Sequence, residues 1–289
     1  MELDIAGRVA EAEDEYCFLG CDVSKNEEYT IVASDICPDM WDSNHVRNVR
    51  LSSATDPEEY VARVEALFRD MGREHCRIDT DFRTRPQEIT SVLRKRDYTP
   101  LPGVIQVYRG QGKAEGHVSS NHPPEAGRIR IVEVSSDSGL EDWSQMVHLQ
   151  FADTSPGSGF AERAVDLSVH RIRWAWREGR DYRALLAYLG DESEPAGCCE
   201  LFRHAGAAKI EGLFVREDKR LHGIGSALIG HGIKAAEEAS DSLIYLRAAA
   251  FDAPRYMYLG MGFEDLMEVT EWLKAWGSSA AVADSIVWD

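Results

Sequence analysis

The sequence has no surplus of positive charge. Its 289 residues include 32 lysines and arginines against 50 aspartates and glutamates, so the formal net charge is −18. Such a chain cannot neutralise phosphates over a broad surface, and we therefore expect no nucleic-acid partner. The same acidity opposes docking on anionic lipid. A cationic ligand is compatible with it, although an acidic surface also serves solubility alone.

Long apolar runs and paired cysteine motifs are also missing. No run approaches the roughly 18–20 apolar residues of a membrane-spanning helix, and Met1 to Ile5 lack the basic and apolar regions of a signal peptide. We therefore expect no membrane partner and a cytoplasmic protein. The cysteines form no CxxC pair, which predicts reduced thiols and no metal site; they are Cys17, Cys21, Cys37, Cys76, Cys198 and Cys199.

What the chain does have is a composition typical of globular domains, with 44% hydrophobic and 28% charged residues. A stretch rich in glycine, serine and proline at residues 111–127 predicts a linker between one domain at 1–110 and another at 128–289. In both domains strand-like and helix-like segments are mixed along the chain. This order predicts the α/β (α+β) fold class.

The most informative segment joins an apolar strand to a helix. Residues 210–228 read IEGLFVREDKRLHGIGSAL, in which a strand ending at Val215 leads through a charged turn into Arg220-x-x-Gly223-x-Gly225. Glycines let the backbone approach an anion closely, and the first N–H groups of a helix, with its dipole, attract phosphate. Arg220 can add a charge-assisted contact. The segment therefore predicts a binding loop for phosphate or pyrophosphate.

Two common phosphate motifs are excluded at this loop. A P-loop needs Gly-Lys-Ser/Thr at the start of the helix, and the dinucleotide fingerprint needs a third glycine where Leu228 stands. An ordinary glycine-rich helix entry is the plain alternative. A second motif favours a ligand: Tyr258-Leu-Gly-Met-Gly262-Phe263 follows the next predicted strand and a short helix.

Together the two motifs resemble the GNAT N-acetyltransferase superfamily, over roughly residues 128–275. In that family an R/Q-x-x-G-x-G/A loop after the fourth strand binds the pyrophosphate of acetyl-CoA, and a later Tyr-x-x-x-Gly-Phe motif places a tyrosine near the thioester sulfur. The resemblance implies a mixed central sheet flanked by helices in the C-terminal domain. It also implies acetyl-CoA as co-substrate, and no metal.

The resemblance assigns roles to particular residues. The backbone of Leu213, Phe214 and Val215 would pair with the pantetheine arm, and one of their N–H groups would polarise the thioester carbonyl. Tyr258 would protonate the leaving thiolate as general acid; packing of the short helix is the alternative role for its ring. The residues implied to hold the pyrophosphate are Arg220, Leu221, His222, Gly223, Ile224, Gly225 and Ser226.

Direct attack by an amine also needs a base. Glu211 is the candidate, because it lies on the strand beside the reacting carbonyl; a surface-facing strand carboxylate is the alternative reading. His204 and Glu200, on the preceding predicted strand, are further candidates. The chain departs from the family at Phe251, where many members carry an asparagine seven residues before the tyrosine.

The N-terminal half follows part of the same order. Its predicted elements include a strand at 76–79, a helix at 86–93 and a strand at 104–108. This order is the same as that of the last strand, helix and strand of the C-terminal domain. No R-x-x-G-x-G precedes Cys76. The order predicts a tandem protein whose N-terminal half is a degenerate GNAT-like domain, with an unrelated α/β domain as the alternative.

The sequence thus predicts an acetyl-CoA-dependent N-acetyltransferase acting on a primary amine, in a small molecule or a peptide. The alternative is a non-catalytic acyl-CoA-binding or regulatory module with the same fold. A homodimer is compatible with the sequence, which fixes neither the oligomeric state nor the identity of the amine.

Overall fold

The computed structural model describes residues 2–110, 129–152, 159–251 and 253–276. The predicted linker lies outside these residues, so the predicted domain boundary stays a prediction. The chain forms two compact units. Unit 1 comprises Met1–Leu19, Ile105–Ala248 and Asp252–Met267, and unit 2 comprises Gly20–Val104, Ala249–Phe251 and Glu268–Asp289.

Helices and strands are mixed in both units, as the predicted α/β class requires. The helices are α1 (Glu2–Cys17), α2 (Pro57–Asp70), α3 (Ile89–Lys95), α4 (Asp137–Phe151), α5 (Phe160–Arg177), α6 (Ile224–Glu238) and α7 (Ala253–Gly260). The strands are β1 (Asp22–Lys25), β2 (Thr30–Ala33), β3 (His45–Arg47), β4 (His75–Thr80), β5 (Thr99–Tyr108), β6 (Ile129–Glu133), β7 (Asp181–Leu189), β8 (Gly197–His204), β9 (Ala207–Val215), β10 (Leu243–Ala249) and β11 (Phe263–Ala275). None of the described helices is long and apolar enough to cross a membrane.

Unit 1 is built on a mixed sheet. Its strands lie in the order β11, β5, β10, β9, β8, β7, β6, with β11 and β5 represented by the parts that fall in this unit. Strands β6 to β9 are antiparallel neighbours, whereas β9 and β10 run parallel. The parallel pair is joined through helix α6, as a parallel connection requires. The mixed sheet flanked by helices is thus confirmed.

Helix α6 packs its apolar stripe on one face of this sheet. Ile224 and Leu228 are buried there with Ile229 and Ile233. The helix lies very close to β9, because a Cβ on Gly232 would stand 2.9 Å from the Cδ1 atom of Ile210. A larger residue at position 232 would push the helix off the strand.

Helix α1 belongs to unit 1, although it begins the chain. The guanidinium of Arg8 donates to the carbonyl of Gly206 at 3.1 Å and to the Ser242 hydroxyl at 2.8 Å. The ring of Tyr16 packs 5.9 Å from that of Phe202 on β8. This placement does not follow from the sequence, because nothing local in residues 2–17 marks a partner about 190 residues away.

Unit 2 combines several paired strands with a hydrophobic core of its own. Strands β1, β2 and β3 are antiparallel neighbours, β3 lies parallel to β4, and β4 pairs antiparallel with β11 from Thr270 to Ala275. Helix α2 begins with Pro57 in its first turn, and the Asp56 carboxylate accepts from the N–H groups of Glu58 and Glu59 at 2.7 and 3.1 Å.

Two histidines of unit 2 are fully buried. His75 has its Nε2 atom 3.1 Å from the Asn44 carbonyl, and His45 lies within 3.8 Å of the Asp79 carboxylate. Burial lowers the pKa of His45 to about 3 and that of His75 to about 4, because the cationic ring loses its hydration. Both rings are therefore neutral in the folded chain at pH values where the unfolded chain protonates them.

This difference predicts an acid-sensitive unit 2. Between pH 6.5 and about 4, the unfolded state binds a proton at His75 that the folded state does not, so stability falls as the pH falls. From pH 6.5 to 5 the loss is about 2 kcal/mol for one such histidine. Urea unfolding at both pH values checks this. His75→Gln is expected to flatten the dependence by that amount, whereas an unchanged slope would contradict it. Exposed His231 offers the matched control, His231→Gln.

Candidate functional site

The parallel ladder between β9 and β10 stops partway along both strands. Pairing runs from Ala207 with Leu243 to Ile210 with Leu246. Both strands continue beyond this point, β9 to Val215 and β10 to Ala249. The last five residues of β9 therefore lie past the end of the ladder, and the two strands separate there.

A β-bulge accompanies the separation. Glu200 faces Glu211 across β8 and β9, but Cys198 faces Phe214, so one extra residue has entered β9 between the two pairs. Gly212, with φ +62°, takes the left-handed conformation that this step needs. The bulge changes which side chains of β9 face helix α6. Before the bulge the even-numbered Ile210 faces the helix, and after the bulge the odd-numbered Leu213 and Val215 face it.

The predicted pyrophosphate loop leads from this strand into α6. Gly223 precedes the helix with φ +81° and has no side chain that could cap the first-turn N–H groups. Those groups have no partner within the helix, so they are available to an anion. Arg220 donates to the Val215 carbonyl at 3.4 Å, and the Nδ1 atom of His222 lies 2.9 Å from the Arg220 carbonyl. Leu221 has φ +65° and is 98% exposed.

The two ends of the loop motif differ in their role. Ile224 is buried and packs against Gly197, so only its backbone can face a ligand. A Cβ on Gly225 would stand 3.6 Å from the Leu213 side chain and 3.9 Å from that of Met257, which is ordinary contact distance. Packing therefore does not demand glycine at position 225. Close approach of a ligand to the backbone would be a reason for glycine at this position.

Helix α7 lies beside the first turn of α6, since Met257 reaches Gly225. The ring of Tyr258 is 7% exposed and stands edge-on to Phe263 at 6.2 Å. The motif glycine has a structural role: Gly262 has φ +96°, and a Cβ there would lie 2.4 Å from the Gly110 carbonyl oxygen. Phe251 is 73% exposed, and Asp252 lies outside the described residues.

Glu211, the predicted base, is engaged in an ion pair. The ammonium group of Lys209 lies 2.8 Å from a carboxylate oxygen of Glu211 and 2.8 Å from one of Glu13 on α1. Lys209 is 3% exposed. Burial alone would lower the pKa of Lys209, but the carboxylates of Glu13 and Glu211 raise it above its usual value. The lysine is therefore a fixed cation between two anions.

The two other candidate bases lie on β8, on the sheet face that α1 covers. Glu200 accepts a hydrogen bond from the Tyr16 hydroxyl at 2.6 Å. His204 stacks on Phe202 with ring centroids 6.4 Å apart, and its Nε2 atom lies 3.9 Å from a Glu11 oxygen. Sequence reasoning missed Tyr16 and Glu13. The spacing of Lys209 and Glu211, two apart on one strand, was the available signal for their pairing.

Lys209→Met is expected to destabilise unit 1 by about 3–5 kcal/mol, because removal of one partner leaves carboxylates buried without their cation. Urea unfolding at neutral pH measures this. Lys234→Met is the matched control: Lys234 is exposed and lies 3.7 Å from Glu238, so its loss should cost less than about 1 kcal/mol. Equal effects of the two substitutions would show that the buried network contributes little.

Part of the chain matches a known protein family. Residues 143–280 match the model of the acetyltransferase (GNAT) family. No curated protein matches the chain. Within the described residues, no group of three or more His, Cys, Asp or Glu side chains is arranged to hold a metal ion.

Solved structures share the fold over nearly the whole chain. A protein of unknown function from Staphylococcus epidermidis aligns at a TM-score of 0.63 and 15% identity, covering 90% of this chain and 96% of its own. A GCN5-related N-acetyltransferase from Kribbella flavida aligns at 0.60 and 13%, covering 95% and 96%. A tandem GNAT protein from the clavulanic acid biosynthesis pathway aligns at 0.56 and 14%, covering 87% and 79%. The tandem arrangement predicted from the sequence is consistent with this last alignment.

Proposed function

Because residues 143–280 match the model of the acetyltransferase (GNAT) family, we propose that this protein transfers an acetyl group from acetyl-CoA to a primary amine by direct attack. Acetyl transfer from acetyl-CoA is the general activity of the family, and the amine is the part that we propose. The observation that carries the proposal combines two features of one segment. The β9–β10 ladder ends at Ile210, and helix α6, which begins at Ile224, has no side-chain cap on its first turn.

These residues suit a CoA ester. The peptide groups of β9 beyond Ile210 can pair with an extended amide-containing chain, as in strand addition. An N–H group in the same segment can polarise a carbonyl oxygen. The first turn of α6, after Gly223, can hold two phosphates with help from Arg220. When bound there, acetyl-CoA supplies the activated acetyl group.

The acceptor would lose its protons to groups of this chain. A carboxylate near the bulge would take one proton from the acceptor's ammonium group so that the neutral amine can attack, and Tyr258 would supply a proton to the departing sulfur. The chain's net charge of −18 favours a cationic acceptor such as a polyamine, an aminoglycoside, a lysine side chain or an N-terminal amine.

Calorimetric titration with acetyl-CoA tests the cofactor site. We expect saturable binding that Gly225→Glu weakens about 30- to 100-fold, because a carboxylate in the first helical turn repels the pyrophosphate. Gly230→Glu is the control, since a Cβ at position 230 meets nothing within 4 Å. Failure of well-folded wild-type protein to bind acetyl-CoA would refute the proposed function.

Tyr258→Phe tests the general acid. We expect kcat to fall about 100-fold with an unchanged Kd for acetyl-CoA, because the phenyl ring still packs against Phe263 but carries no proton. Thiol release with an amine panel measures this, and Tyr256→Phe on the exposed side of α7 is the control. Unchanged turnover in Tyr258→Phe would remove the assignment. Tight acetyl-CoA binding without turnover in the wild type would favour the non-catalytic binding module.

A further inference from the structure

We propose that Glu200, oriented by Tyr16 of the N-terminal helix, is the carboxylate that takes the proton from the attacking amine, in place of Glu211. The inference rests on the proposed function and names a catalytic residue and a positioning residue for it. Tyr16 lies far outside residues 143–280, which match the family. Helix α1 would therefore be a working part of the active site.

Glu211 already has two partners within this chain. Its carboxylate lies 2.8 Å from the ammonium group of Lys209, and one of its oxygens also accepts from the N–H of Gly212 at 3.3 Å. Lys209 is buried and is held in place by Glu13 as well. A base that gains a proton here would leave a buried cation with half of its counter-charge, which is unfavourable. Glu211 is therefore better suited to neutralise Lys209.

Glu200 lies beside the bulge of β9. It faces Glu211 directly across β8 and β9, at the bulge. A Cβ on Gly212 would stand 3.5 Å from the Glu200 Oε1 atom, so this oxygen borders the backbone where β9 has left β10. Glu200 is partly exposed, unlike Lys209. Its carboxylate can therefore meet an amine that approaches the separated part of β9.

Tyr16 holds the Glu200 carboxylate by a hydrogen bond to one of its two oxygens. Its hydroxyl donates to the Oε2 atom of Glu200 at 2.6 Å, which leaves the Oε1 atom on the side of Gly212. The Tyr16 ring also contacts two cations, the Lys209 ammonium 4.0 Å from its centroid and the Arg171 guanidinium at 5.5 Å. Burial, and next the Glu200 carboxylate, raise the pKa of Tyr16 well above its usual value, so it remains a donor.

Charged and titratable groups on several elements interact with Tyr16, with Glu200 or with the adjoining Lys209 and Tyr245. Two are cations, two are carboxylates, three are thiols, and two are further tyrosines whose pKa values burial raises. They are Glu13 and Cys17 of α1, Arg171 of α5, Tyr182 of β7, Cys198 and Cys199 of β8, Lys209 and Glu211 of β9, and Tyr245 of β10.

The proposed step balances in protons and bonds. Glu200 Oε1 takes one proton from the acceptor ammonium, and the freed nitrogen lone pair forms the new N–C bond. The C–S bond breaks, and the electron pair stays on sulfur, which receives a proton from Tyr258. The nitrogen loses its second proton as the amide forms, and this proton restores Tyr258 through solvent. Glu200 returns its own proton to solvent.

Single-turnover hydrolysis of acetyl-CoA by excess protein tests the proposal without a known acceptor, because water replaces the amine and needs the same base. We expect Glu200→Gln to lower the rate about 100-fold and to abolish the acid limb of the pH–rate profile. Tyr16→Phe should lower the rate about tenfold, the value of one hydrogen bond to a charged group, and move the acid limb to higher pH. Glu211→Gln should retain the acid limb.

Tyr188→Phe is the matched control, since Tyr188 also donates to a carboxylate of unit 1, that of Asp142, at 2.5 Å. It should leave the pH–rate profile unchanged. Retention of the acid limb in Glu200→Gln, or its loss in Glu211→Gln, would overturn the inference while the acetyltransferase function stands. A fall in rate in Tyr16→Phe without movement of the acid limb would overturn the positioning role. Absence of acetyl-CoA binding by the wild type would instead overturn the proposed function itself.

Discussion

The candidate site depends on one interruption of regular structure, the bulge at Gly212. A parallel ladder that continued to Val215 would satisfy the peptide groups of β9 with those of β10. The extra residue ends that pairing after Ile210 and exchanges the faces to which the following side chains point. Leu213 and Val215 thereby pack towards α6, and the backbone between the strands is left for another chain-like partner.

A bulge of this kind needs support on both faces of the sheet. On one face, α6 lies against β9 through the absence of a side chain at Gly232. On the other face, Lys209, Glu13 and Glu211 form a buried charge network that ties helix α1 to the strand. Buried ion pairs add little net stability when complete, but they are specific, since a misplaced partner leaves an uncompensated charge. The network therefore fixes which residues flank the bulge.

Sequence reasoning found what is encoded locally. The glycine spacing from Arg220 to Gly225 predicted a helix entry suited to an anion, and α6 begins at Ile224. The strand predicted at 104–108 lies within β5, Thr99–Tyr108. The helix predicted over 86–93 is observed as Ile89–Lys95, and the strand predicted over 76–79 as His75–Thr80. Element type followed from periodicity, whereas the ends depend on neighbours that periodicity does not reveal.

Contacts between distant segments could not be read in the same way. Tyr16 and Glu200 are 184 residues apart, and no local pattern in α1 marks its hydroxyl as a partner for β8. The bulge itself has a faint signal, a glycine inside an apolar strand. The Tyr258 motif was read as functional as a whole, but its glycine at position 262 serves the close approach of Gly110. Local sequence therefore predicts the loop, and tertiary packing decides which carboxylate stands beside it.

Hydrogen exchange with and without acetyl-CoA tests the central claim most directly, because it reports on individual backbone N–H groups. The account predicts slower exchange on binding in two segments, residues 213–215 of β9 and residues 224–226 at the start of α6, with little change elsewhere in α6. Protection at those two segments would mean that the separated strand and the uncapped helix start form one ligand site. Binding that leaves both segments unprotected would contradict the account.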